Sequence, residues 1–223
     1  MLKIIRVYGL MLLKSMGNTL LLCALSLLAA MIIGLVVALF NVGKKRILNL
    51  FGTVFVDAIR GVPLIVLAYF VYFGIPQAAK MLGFSGLRLS ALSAGIITLS
   101  MNCGAYMAEI IRAGIESVDK GQMEASRSLG LSYGKSMRLV VIPQAIKTMI
   151  PSIINQFIIT LKDTSILSVI GFPELVNTGK NVAGNTFLNL QVWAIVGVMY
   201  MVVIITLSKV AKKLERRLKR GEL

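Results

Sequence analysis

Asn102, Glu109 and Arg112 fall inside one apolar block, and Gln156, Asp163 and Thr164 fall in and just after another. Polar side chains in such surroundings are candidates for function, because leaving them unpaired in lipid is costly. The Asn102 amide can donate to a carboxylate and accept from an ammonium group; a helix–helix hydrogen bond is its structural alternative. Glu109, seven residues on, lies on nearly the same helical face. Arg112 follows Glu109 at i+3, the spacing of an ion pair that would hold one end of the segment in place. Asp57 and Arg60 repeat that spacing and read as a second structural pair. Asp163 can accept from an ammonium group, and its neighbour Lys162 does not face it on a helix. Gln156 is seven residues before Asp163, on roughly the same face. Asn102, Gln156, Asp163 and Thr164 are therefore the expected lining of a polar pathway. This is the chemistry of binding, not of bond breaking. The chain has no His, which removes the commonest general base and transition-metal ligand. Cys23 and Cys103 each sit in an apolar block, with no disulfide or metal-site spacing. No catalytic constellation and no metal site are expected.

The elements that must position these residues are membrane helices. Of the 223 residues 57% are hydrophobic, with mean hydropathy +0.84. The apolar blocks approach or exceed the run of about 20 residues that crosses a bilayer core. The expected class is all-α integral membrane protein, a single domain over 1–223. Its spans are expected at about 17–40, 61–79, 89–114, 143–161 and 186–208. Met1–Ser15 mixes Lys3, Arg6 and Lys14 with apolar residues, and reads as an interfacial amphipathic segment or a charged disordered tail. The block after it is longer than a signal-peptide core and lacks a cleavage site before Lys44, so it is expected to be retained.

The formal net charge is +15, and the basic residues lie between and after the blocks. That is the positive-inside pattern and not the aromatic–basic interleaving of a nucleic-acid binder, so no nucleic-acid partner is expected. Five spans put the termini on opposite sides. The tail, with Lys209, Lys212, Lys213, Arg216, Arg217, Lys219 and Arg220, is expected in the cytoplasm and reads as a membrane-surface helix holding anionic lipid. The Lys44 loop and the 115–142 loop then share that side, and the N-terminus lies outside. The outside receives Lys3, Arg6, Lys14, Lys80, Arg88, Lys162 and Lys180; the basic N-terminus argues mildly against this orientation.

The 115–142 loop is the most informative stretch. Gln122–Leu129 holds good helix formers, and Gly130 ends the helix as glycine does at a C-terminus. Tyr133–Val141 can restart a helix, with Pro143 or Pro151 shaping the start of the fourth span. Such a short helix across the span axis is a knob that another protein can grip. The loop reads Glu124-Ala125-Ser126, three residues, Gly130, then a run ending Val140-Val141-Ile142-Pro143. It resembles the signature of permeases of binding-protein-dependent ABC importers: Glu-Ala-Ala, three residues, Gly, nine residues, Ile-x-Leu-Pro. Ser126, Val140 and Ile142 are small or conservative departures. The polar amino-acid branch is resembled further by Asn18-Thr19-Leu20, by Arg60-Gly61-Val62-Pro63-Leu64, by the run from Ala105 to Ile115 and by Lys162-Asp163-Thr164-Ser165-Ile166-Leu167-Ser168-Val169-Ile170-Gly171.

The resemblance implies the type I importer fold, with five core helices per subunit and two subunits forming the pathway. It implies import of polar amino acids. Glu124, Ala125 and Gly130 would be the contact core with an ATPase, Ser126, Arg127 and Pro143 belong to the same coupling segment, and Lys135 is a further polar neighbour. The expected partners are two ABC ATPase subunits, a second permease (identical or different), an extracytoplasmic amino-acid-binding protein and membrane lipid. The chain lacks the Gly-x-x-x-x-Gly-Lys-Ser/Thr loop of ATPases, so it is not expected to be an enzyme. It needs no cofactor of its own, and ATP and Mg would be bound by the partner ATPase. The alternatives are an ion-coupled secondary transporter, often marked by inverted repeats that are not evident here, and a membrane enzyme, for which no constellation presents itself.

Overall fold

The computed structural model describes residues 1–43, 45–84 and 86–220. Lys44 and the last three residues of the basic tail lie outside the described residues. Five helices are long and apolar enough to cross a membrane among the described residues: Leu2–Val42 (α1), Leu64–Met81 (α3), Ala91–Glu116 (α4), Tyr133–Ile170 (α6) and the apolar part of Asn189–Arg220 (α8). Shorter helices join them: Arg46–Gly61 (α2), Lys120–Ser128 (α5) and Leu175–Thr186 (α7).

The α1 helix departs from expectation. Its 41 residues are unbroken, about 60 Å at 1.5 Å per residue, so Met1–Ser15 contributes neither a disordered tail nor a separate interfacial segment. The cause is an apolar ladder at four-residue steps. Ile4, Leu12 and Met16 are buried against Leu175, Val182 and Ala183 of α7 and Val192 and Val196 of α8, with Tyr8 half-buried between them. Burying that ladder offsets the entropy of ordering the segment.

The α4 helix is the centre of the bundle. It starts at Ser90, whose hydroxyl accepts from the Ser93 amide at 3.0 Å, an N-cap of the usual kind. It lies along α1 through small residues on both: Ala30, Gly34 and Ala38 against Gly104 and Ala108. A Cβ at Gly34 would stand 2.5 Å from the Cβ of Met107. The two backbones approach this closely because small side chains repeat every four residues, the packing membrane helices use in place of a hydrophobic drive.

Two helices carry a proline behind a wide turn. In α3 a π-helical turn at Phe70–Gly74 precedes Pro76, and in α6 one at Met137–Val141 precedes Pro143. Proline has no amide hydrogen and its ring crowds the carbonyl four residues back; the widened turn relieves both without ending the helix. The fourth span therefore runs through Pro143, beginning ten residues earlier than expected, at Tyr133. At its other end it tightens to a 3₁₀ stretch over Thr164–Ile170, closed by Gly171 at φ +77°.

Beyond that stretch, Glu174 is fully buried as the N-cap of α7. Its carboxylate accepts from the amides of Val176 at 2.7 Å and Asn177 at 2.5 Å, and from the Tyr200 hydroxyl at 3.2 Å. Burial pushes the Glu174 carboxyl above the ordinary carboxylate range, opposed by these donors and by Lys180. The adjoining backbone is tied to α1: Asn18 Nδ2 donates to the Pro173 carbonyl at 2.9 Å, and the Leu175 amide donates to Thr19 Oγ1 at 3.1 Å. These two bonds account for Asn18 and Thr19 at the start of the apolar stretch of α1.

Candidate functional site

Three helices converge on a cavity of about 550 Å³. The end of α2 and the turn after it supply Arg60, Gly61, Val62 and Pro63, with Leu64 opening α3; α4 supplies Asn102 and Tyr106; α6 supplies Gln156, Ile159 and Asp163. Pro63 shapes its rim, because proline forces an extended residue before it, and Val62 sits at φ −107°, ψ 133°. Of the four residues expected to line a polar pathway, the structure brings Asn102, Gln156 and Asp163 together here. Thr164 is not among them. It is fully buried, and its hydroxyl donates to the Leu161 carbonyl at 2.7 Å. The change from α to 3₁₀ winding at Thr164 accompanies this inward placement.

The ion pairs differ in the same way. Arg112 holds Glu109 through two hydrogen bonds, one of 3.2 Å from Nε, and donates a third to Glu116 at 2.5 Å. Asp57 and Arg60 make no ion pair among the described residues, contrary to the expectation from their spacing. The Arg60 guanidinium instead lies over the Tyr106 ring, 5.0 Å from its centroid. Sequence reasoning gave Arg60 only a structural pairing with Asp57 and did not single out Tyr106, yet both line this cavity. One signal was present: Tyr106 follows Asn102 by four residues and so shares its helical face. No local pattern links Arg60 to Tyr106.

Two further cavities open on the side of the α5 loop. One, of about 310 Å³, includes Arg60, Tyr106, Glu109, Thr148, Met149 and Ser152. The other, of about 360 Å³, includes Asn41, Asn49, Asp57, Arg60, Glu109, Arg112 and Glu116. Arg60 borders all three cavities, and Tyr106 borders two. With ammonium acceptors at Asn102, Gln156 and Asp163 and the Arg60 guanidinium in one lining, the first cavity can hold a small zwitterion.

The α5 loop is built by local bonds. Asp119 caps the helix, its Oδ1 accepting from the Gly121 amide at 2.7 Å. At the other end Gly130, at φ +85°, donates to the Arg127 carbonyl at 3.0 Å, and Leu131 donates to the Ser126 carbonyl at 3.3 Å. That pair of bonds is the Schellman ending, which requires a left-handed residue at the glycine position. The helix runs Lys120–Ser128, two residues earlier than expected at its start. Glu124, Ala125 and Arg127 are exposed, while Ser126 is buried with its hydroxyl donating to the Met123 carbonyl at 2.9 Å. A serine thus fits where the resembling motif has alanine, because its hydroxyl is satisfied within its own turn. Toward α6, Gln144 Nε2 donates to Gln122 Oε1 at 3.4 Å. Pro143 sits beside that contact, in the first turn after the widened one.

Comparison with known proteins agrees with this architecture. Residues 30–220 match the family described as binding-protein-dependent transport system inner membrane component. The glutamine transport system permease protein GlnP of Escherichia coli K12 is 37% identical over 209 residues, 94% of this chain and 93% of that protein. The arginine transport system permease protein ArtQ of Bacillus subtilis is 34% identical over 210 residues, 94% and 93% of the two chains. Among solved structures, an amino acid ABC transporter crystallised with histidines superposes with TM-score 0.88 at 36% identity, over 97% of both chains. The MetNI methionine ABC transporter shares the fold at 20% identity, with TM-score 0.78 over 95% of this chain and 97% of that one. The all-helical fold is that of the type I importer permeases.

Proposed function

The chain belongs to the inner-membrane components of binding-protein-dependent transport systems, and from that premise we propose that it passes polar amino acids through the Asn102–Gln156–Asp163 cavity. It is a permease subunit of an ABC importer, multi-pass in the membrane, and works with an ATPase and other subunits. Nothing among its relatives supports the ion-coupled alternative. The observation that carries the cargo reading is the cavity itself, whose lining includes three ammonium acceptors, Asn102, Gln156 and Asp163, and one guanidinium, Arg60. Every α-amino acid offers both charges, and the named cargoes of the relatives above are amino acids. Glutamine, arginine, histidine and cystine are the proposed class.

In this reading two ATPase subunits bind ATP and Mg and grip the α5 helices of two permease subunits through the exposed Glu124, Ala125, Arg127 and Gly130, with Ser126 packing the helix from behind. The loop and the C-terminus lie in the cytoplasm, the N-terminus outside. ATP closes the ATPases, the helices are dragged with them, and the spans open outward to receive cargo from an extracytoplasmic binding protein. Hydrolysis resets them inward. Each state is favoured by its own contacts, which is what a population shift requires. The contact of α5 with the base of α6 gives the motion a route, because α6 also carries Gln156 and Asp163.

The test is reconstitution of this chain with its ATPase, any second permease and its binding protein in proteoliposomes. ATP-dependent uptake of labelled glutamine or another polar amino acid is expected. Uptake of none of them, from an assembly that hydrolyses ATP, sinks the cargo reading.

A further inference from the structure

Arg60 is the one charged group that borders all three polar cavities. The cavities it borders hold four carboxylates, Asp57, Glu109, Glu116 and Asp163, yet among the described residues it makes an ion pair with none of them. Glu109 is already held by two bonds from Arg112. Asp57 faces a different cavity from Asp163, and neither makes an ion pair among the described residues. The guanidinium rests on the Tyr106 ring at 5.0 Å. Arg60 and Tyr106 are also the two residues common to the Asn102 cavity and the Thr148–Ser152 cavity on the loop side. The stacked pair therefore stands where the two cavities adjoin.

We propose that Arg60 reads the cargo's carboxylate, and that its seat on Tyr106 is the barrier between the two cavities. The inference rests on the amino-acid reading above. A face-on ring contact holds a guanidinium less tightly than a carboxylate does through paired charge-assisted bonds. A free carboxylate in the first cavity displaces the ring and draws Arg60 aside. Asp163, on the same cavity, repels that carboxylate and accepts the ammonium group. The cargo is thereby oriented with its carboxylate leading toward the loop-side cavity. A molecule with no carboxylate leaves Arg60 on Tyr106 and the barrier shut. Lysine cannot replace Arg60 fully, because a point charge lacks the planar fork that both stacks on a ring and grips two oxygens.

The experiment uses the assembled importer in proteoliposomes, with four variants: Arg60→Gln, Arg60→Lys, Tyr106→Leu and Tyr106→Phe. ATP-dependent uptake, efflux of preloaded glutamine without ATP, and ATPase activity are each measured. ATPase activity of the complex without binding protein is also measured with glutamine and with its α-carboxamide. Arg60→Gln is expected to lower uptake by about 10-fold or more, with Arg60→Lys between it and wild type. Tyr106→Leu is expected to raise ATP-independent efflux by about 5-fold, with Tyr106→Phe restoring much of the seal because the ring face remains. Glutamine should stimulate the wild-type ATPase and the α-carboxamide should not; Arg60→Gln should respond alike to both. Wild-type uptake with an unchanged Arg60→Gln variant, or equal wild-type responses to the two compounds, overturns this inference and leaves the cargo reading standing. A wild-type assembly that hydrolyses ATP and imports no amino acid overturns both.

Discussion

The α5 loop and the Arg60–Asp163 cavity are built in opposite ways. The hydrogen bonds that cap α5 and hold its side chains mostly span a few residues, Asp119 to Gly121, Ser126 to Met123, Ser128 to Glu124 and Gly130 to Arg127, with Gln144 to Gln122 the link to α6. The cavity is assembled from residues far apart in the chain, on α2, α4 and α6. The loop is a stiff handle whose form survives wherever it is carried. The cavity is a relation between helices, and it changes shape whenever they shift. A transport subunit needs both properties, a rigid part to be pulled and a deformable part to open.

Variants can break the handle and the cavity separately. The largest effects are expected in the loop. Gly130→Val places a β-branched residue at φ +85°, a conformation only glycine adopts at no cost, and Glu124→Arg reverses an exposed charge. Both should reduce uptake to background and weaken binding of the purified ATPase. Normal uptake in both would end the proposal that this loop couples the two subunits.

Cavity variants should do the reverse. Asn102→Leu and Asp163→Asn are expected to lower cargo stimulation of the ATPase by about 10-fold, one lost charge-assisted bond, while ATPase binding stays intact. An unchanged response to cargo would remove each residue from the pathway.

Gly34→Leu tests the frame that holds the cavity. The added side chain meets Met107 on α4, and overpacking of this kind costs about 1–3 kcal/mol. A lowered midpoint of thermal unfolding is expected, with cargo response impaired more than ATPase binding. Equal loss of both would mean that handle and cavity are not independent.

The smallest expected effect is a pH dependence set by Glu174, remote from both regions. Burial raises its carboxyl above the ordinary range, so the folded state binds that proton more tightly than the unfolded chain does. Its contribution to stability is then full below the ordinary carboxylate range and is lost as pH rises through the raised value. Glu174→Gln should flatten that slope in unfolding midpoints measured across pH; an unaltered slope would assign it to other groups.

Much of the fold was legible in advance because it follows from solvent and period. Long apolar blocks must be helices in lipid, where every backbone group has to be satisfied within its own segment. The α5 helix was legible for a similar reason, since Gly130 and the helix formers before it act locally. Glu109 and Arg112 also behaved as their i+3 spacing suggested. Asp57 and Arg60 have the same spacing and did not, because Tyr106 on α4 offers Arg60 a competing surface. Thr164 continues the spacing of Gln156 and Asp163, yet the backbone winds differently from that residue onward. The segment before Ser15 read as interfacial or disordered, and only the apolar faces of α7 and α8, which bury its Ile4 and Leu12, made it a continuous part of α1.

By itself the sequence determined the long apolar helices, the glycine ending of α5, the Glu109–Arg112 pair and the resemblance that pointed to a permease. Each of these depends on residues within a turn or two of one another, or on their preference for lipid over water. The tertiary structure alone decided that Arg60 leaves Asp57 for Tyr106, that Asn102, Gln156 and Asp163 share one cavity while Thr164 does not, and that Glu174 is buried. These outcomes depend on which helix faces which, and spacing along one helix carries no information about the surface a neighbour will present.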